Sequence, residues 1–158
     1  MKKIKKILAF VLSTSMLLGG MNIQAFAADS LADGKYTAKQ NLYKNSACTT
    51  TSMGDAALND MRAEITIADD EATLVVHTHE ITYLGLTGHL GKMVVNGKTV
   101  TPKQTTTNGV TDYYFTFTGL DASTIYEGCV ITGKFTTYVG SMPMNATGYL
   151  KLTDITAK

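Results

Sequence analysis

MRAEITIADDEATLVVHTH, residues 61–79, decides the fold. Met61, Ala63, Ile65 and Ile67 share one face of an extended chain, while Arg62, Glu64 and Thr66 share the other. A period of two with apolar residues on one side is the pattern of a half-buried strand. Asp69-Asp70 breaks the run with two turn formers, and Ala72 to His79 then returns as a second strand. The unit is an antiparallel hairpin.

The same grammar extends in both directions. Lys92 to Val95, Asn96-Gly97 and Lys98 to Thr101 make a hairpin around the strongest two-residue turn signal. Between Asp112 and Thr118, Tyr113, Phe115 and Phe117 alternate with polar neighbours. Val130 to Val139 and Ala146 to Leu152 read as strands, and Gly34 to Tyr43 supplies the first one. About eight short strands result, with only two prolines in the chain. Their spacing fits an all-β, immunoglobulin-like antiparallel β-sandwich better than a barrel. One helical turn interrupts it: Ser52 caps Thr51 to Leu58, Asp55 answers as in a capping box, and Met53 stands near its start.

The first 27 residues belong to a different grammar. Met1 to Lys6 is cationic, Ile7 to Gly20 is mostly apolar, and Ala25-Phe26-Ala27 is an A-x-A cleavage site, the three parts of a secretory signal peptide. Its removal leaves about 131 residues, one domain's worth, expected to be secreted or held at the cell surface with no membrane span. Without Lys2, Lys3, Lys5 and Lys6, 10 basic residues face 13 acidic ones. That balance argues against nucleic acid or an anionic membrane surface as the main partner. Cys48 and Cys129 are the only cysteines. Export permits a bridge between them, whereas the strand reading sets them toward opposite ends of the sandwich.

Enzyme motifs are missing: there is no G-x-S-x-G elbow, P-loop or H-E-x-x-H, and no Cys beside an evident base. His77 and His79 point the same way from one strand and could share a metal, but a zinc site needs further ligands and His89 lies at no recognisable spacing. Methionine is the unusual feature. Alternation assigns Met61 and Met93 to the core; Met53, Met142 and Met144 fall in a capped turn and near a hairpin tip, where packing explains them less well. Thioethers are soft ligands suited to haem iron or Cu(I).

Asp33-Gly-Lys-Tyr-Thr37, followed by Ser52-Met-Gly-Asp-Ala-Ala-Leu58, resembles the start of the near-iron-transporter (NEAT) family of bacterial haem-binding domains. Leu84 to Gly91 resembles a segment of clostridial relatives. Pro143-Met144 followed by Tyr149-Leu150 resembles the Shp-like haem-binding sandwiches of streptococcal cell surfaces. The resemblance implies haem b (iron-protoporphyrin IX), held between the short helix and the last hairpin by Met53 and Met144, with Met142 as the substitute for the second ligand. It further implies pocket walls from Tyr83, Leu84, Leu86 and Tyr138, propionate contacts from Ser52 and Lys44, and haem-relay proteins or a transporter's binding protein as partners. Typical NEAT domains carry Y-x-x-x-Y in the last hairpin; here Met144 and Gly148 stand at those places. The competing readings are a Cu(I) protein using Met53, Met142, Met144 and the His77/His79 pair, and an immunoglobulin-like surface or adhesion module without a prosthetic group.

Overall fold

A computed structural model describes residues 30–158 apart from Asn59, and of Tyr83 the backbone alone. The signal-peptide segment lies outside the described residues. Ten strands run in chain order as β1 Gly34–Tyr43, β2 Arg62–Ala68, β3 Glu71–His79, β4 Ile81–Tyr83, β5 Leu86–Val95, β6 Lys98–Val100, β7 Lys103–Thr107, β8 Val110–Asp121, β9 Val130–Val139 and β10 Met142–Ala157. Two 3-10 turns, η1 Met53–Ala57 and η2 Ala122–Thr124, complete the set.

The opening hairpin forms as its pattern requires. Ala63, Ile65 and Ile67 of β2 are buried, as are Ala72, Leu74 and Val76 of β3, and Ile65 faces Leu74 across the ladder. Asp69 and Asp70 have φ of 52° and 65°, the two left-handed residues of a type I′ turn, whose twist matches that of the flanking strands. The turns Leu84-Gly85, Asn96-Gly97 and Asn108-Gly109 repeat this double positive φ. Met61 lies just before β2 and is half-buried, because β2 starts at Arg62.

All pairings between strands are antiparallel, in the order β4-β5-β9-β10-β1-β2-β3-β8-β7, with β6 beside β5. β1 joins the halves: Gly34 to Lys39 pair with β2, and Tyr36 to Tyr43 pair with β10. The continuous sheet folds over so that β5 packs on β3 and β6 on β8. An all-β sandwich results, its interior filled by Leu42, Ile65, Leu74, Val76, Leu90, Met93, Phe115, Phe135, Leu150 and Leu152, each at most 3% exposed. The count exceeds eight because β4 and β6 are three-residue pieces and β7, Lys-Gln-Thr-Thr-Thr, is exposed throughout and shows no apolar alternation. No helix among the described residues is long and apolar enough to cross a membrane.

Candidate functional site

At one end of the sandwich the inward-facing rows of β5, β9 and β10 run past the core. Gly148, Leu150 and Leu152 of β10 are buried, and the same face continues through Ala146, Met144 and Met142 into the open. Met142 pairs with Val139, and Met144 with Thr137, which in turn pairs with Leu90. Met142 and Met144 are 64% and 52% exposed on a face that is sealed only from Gly148 onward. The turn itself uses only Gly140, at φ 58°, and Ser141. Thus both methionines and Pro143 belong to β10 rather than to the tip. Pro143 is tolerated because β1 pairs with β10 only from Tyr149 onward, so the missing N–H falls on an edge.

η1 covers the adjoining part of this face. A Cβ at Gly54 would lie 3.3 Å from Leu42 and 3.7 Å from Leu90, so the turn rests directly on those two core side chains. Asp55 fixes it there. Its carboxylate, 7% exposed, accepts from the Leu42 backbone N–H at 2.6 Å and from the Asn41 amide at 3.3 Å. Asp55 therefore does not close a capping box; Ser52 alone caps, its Oγ accepting from Gly54 N–H at 3.3 Å. Met53 is 63% exposed beside Gly54. Leu90, under η1, lies two strands from Met144 in one register row, about 10 Å across the sheet. η1, which carries Met53, thus rests on the sheet face that also carries Met144.

The β4–β5 turn adds to it. Gly140 N–H donates to Thr87 O at 2.8 Å, tying this turn to the β9–β10 tip. Leu84 holds φ 49° and is 85% exposed, an apolar side chain in a left-handed position that packs on little. Such strain costs roughly 1–2 kcal/mol and collects where function requires it. Leu86 is 52% exposed on the face of Leu90. Of the seven large hydrophobics exposed among the described residues, Met53, Leu84, Leu86, Met142 and Met144 gather here.

Tyr138 stands apart. It pairs with Pro143 and His89, one residue out of step with Thr137 and Val139, so it leaves the methionine face. Its ring stacks on His89 at 5.3 Å and 16° and covers Gly91, where a Cβ would come within 2.4 Å. His89 stacks as well on Tyr113, at 4.9 Å and 6°. This three-ring stack links β5, β8 and β9, and the one sequence signal for it is Gly91, two residues beyond His89. Tyr113 donates to Glu80 at 2.9 Å, and burial first, then the Glu80 contact, pushes its phenol up to about 12.

His77 and His79 lie on β3, on the far half of the sheet from β10 and on the face opposite Val76 and Thr78. The structure does not gather them with Met142 and Met144. Burial holds His77 below its usual pKa, and its ring meets Tyr114 edge-on at 4.8 Å. No trio of His, Cys, Asp or Glu suited to a metal occurs among the described residues. Both cysteines are free; Cys129 is buried with its pKa raised by desolvation, and Cys48 is half-buried in the β1–η1 loop. Gly148 has a steric reason: a Cβ there would meet the Phe135 ring at 2.7 Å, so no tyrosine fits where Y-x-x-x-Y would place its second member. No family model matches the chain, and no curated protein matches it.

Proposed function

We propose that this protein is an exported haem-binding protein for haem capture or transfer, with the open end between η1 and β9–β10 as its site. The observation that carries the reading is the convergence of exposed thioethers and leucines on a face continuous with the core. A contiguous apolar surface left open at one end of a sealed sandwich marks a binding site. Two of its edges bear soft sulfur, the donor type that suits haem iron. The NEAT and Shp-like resemblance of the η1 segment and the last hairpin selects haem among the ligands such a face could take.

Met53 and Met144 are the proposed axial ligands, and Met142 is the substitute, since it shares the facing of Met144 on β10. Two thioethers would fill both axial positions and favour ferrous iron, which suits carriage rather than oxygen chemistry. Leu86 and Val139 flank the sulfurs as apolar wall. Ser52 Oγ already accepts from Gly54 N–H, and its hydroxyl hydrogen remains available to a propionate. Lys44 is exposed in the loop before η1 and is the second propionate candidate. Partners would be other haem-relay proteins or a transporter's binding protein.

The test is spectroscopic. Hemin added to the purified protein should give a Soret band with low-spin, six-coordinate features in the oxidised and reduced states. No Soret shift at stoichiometric hemin would sink the proposal. Met53→Ala and Met144→Ala should each yield a five-coordinate or weakly bound form. If Met142→Ala does so and Met144→Ala does not, the second ligand is Met142.

A further inference from the structure

The outer face of β5, β9 and β10 differs from the rest of the surface in its charge. None of the 13 acidic residues falls on β5, on β9 or on residues 142–153 of β10. Strands β2, β3 and β8 and the Asp69-Asp70 turn, by contrast, carry Glu64, Glu71, Asp112 and Asp121 besides the turn pair. Lys92, Lys134 and Lys151 project from the carboxylate-free face, and no salt bridge among the described residues engages them. The carboxylates around Lys151 are occupied: Asp55, bonded to the Asn41 that pairs with Lys151, also accepts from Leu42 N–H, Glu127 accepts from the backbone N–H groups of Asp154 and Ile155, and Asp154 pairs with Lys39 and Arg62.

The lysines are arranged in order. Lys92 pairs with Thr136, opposite Asn145; Lys134 pairs with Thr147; Lys151 lies four residues further along β10. They form a diagonal across three adjacent strands, about 20 Å along the strands and about 10 Å across them. Between Lys92 and Lys134 lies a shallow recess of about 400 Å³, lined also by Val94, Thr136, Asn145, Ala146 and Thr147. Thr136, 5% exposed, donates its hydroxyl to Asn145 Oδ1 at 2.7 Å, so the NH₂ of that amide is the group of Asn145 left to donate. Two ammonium groups, an amide NH₂ and the Thr147 hydroxyl thus face one depression with no carboxylate beside them.

From this we infer that the outer face of β5–β9–β10 binds a linear, phosphate-bearing polyanion, with the recess holding one phosphate and Lys151 a later one on the same chain. Charge complementarity selects an anion, and the length of the diagonal selects a polymer, since a single phosphate in the recess cannot reach Lys151. The lysines lie on the face of the sheet opposite the methionines, with Ala146 alone shared by the two descriptions, and neither reading depends on the other. Bound in this way, an exported chain would be retained by a polyanionic envelope while its methionine end stays free.

Titration of the protein with long-chain polyphosphate and with orthophosphate tests the inference. Polyphosphate should bind and weaken steeply with salt, and orthophosphate at equal phosphate concentration should not displace it. Each of Lys92→Ala, Lys134→Ala and Lys151→Ala should weaken binding by about 2–5-fold, and the triple variant by about 10-fold or more. Lys35→Ala and Lys103→Ala, on the other half, should leave it unchanged. Amide shifts at Thr136, Asn145 and Thr147 on adding polyphosphate would locate the contact without any variant. The inference is overturned by an absence of binding at low salt, by full displacement with orthophosphate, or by equal losses in the two control variants.

Discussion

The β2–β3 and β9–β10 hairpins are built alike and end differently. Each closes on two residues, Asp69-Asp70 in one and Gly140-Ser141 in the other, and each carries a row of inward-facing apolar residues up to its turn. In β2–β3 the row Ile65, Ile67, Ala72 and Leu74 is sealed; in β9–β10 Met142 and Met144 on the equivalent row are more than half exposed. Alternation sets the face a side chain takes. What packs over that face decides whether it is buried, and among the described residues η1 rests on β1 and β5 while Met142 and Met144 stay more than half exposed. A sealed row holds the fold together, whereas an open one is free to hold something else.

Truncation should separate the two rows most sharply. Leu74→Ala removes a side chain that is 1% exposed and leaves a cavity, at a cost of about 2–5 kcal/mol in urea unfolding. Met144→Ala removes a side chain 52% exposed, and should cost less than about 0.5 kcal/mol in the same measurement. A loss above about 1 kcal/mol at Met144 would mean that its thioether is packed, and the contrast between the hairpins would fail.

Asp55 marks the boundary between sealed and open. Asp55→Ala leaves the Leu42 N–H without its acceptor, beneath a turn that rests on Leu42 and Leu90. Loss of a buried bond to a carboxylate costs about 1.5–3 kcal/mol, which denaturant unfolding should read out. Hydrogen exchange should show Leu42 and Gly54 losing protection while Ile65 and Leu74 keep theirs. Equal loss of protection in both places would show that η1 is part of the core and not a cover at its edge.

Much of the fold was legible in the residues. β1 and β9 run over the expected bounds, and Asn96-Gly97 turns as its dipeptide demands. Asn108-Gly109 carries the same signal, but β7 beside it has no apolar face to announce a strand. Tertiary placement was less legible. The facing of Met142 and Met144 follows from alternation, whereas the bond from Asp55 to β1 and the packing of Phe135 on Gly148 depend on neighbours brought from elsewhere in the chain. The His89 stack was hidden for the same reason: its two tyrosines lie 24 and 49 residues away in the sequence.

That stack spans the fold-over of the sheet, and its smallest measurable consequence is a proton. Tyr113 belongs to β8, yet its ring lies on His89 of β5 and its hydroxyl on Glu80, so the phenol keeps its proton to higher pH only where the folded-over halves stay together. Its folded pKa is raised from 10 to about 12, so the folded chain holds this proton more tightly than the unfolded one. The contribution to stability is complete below pH 10 and disappears as pH rises from 10 toward about 12. Absorbance titration should show a late phenolate step toward about pH 12, and Tyr113→Phe should remove that step and flatten the loss of stability over the same interval. A late step that survives Tyr113→Phe would assign it to another tyrosine and leave the seam between β5 and β8 open to water, like the methionine end and unlike the β2–β3 row.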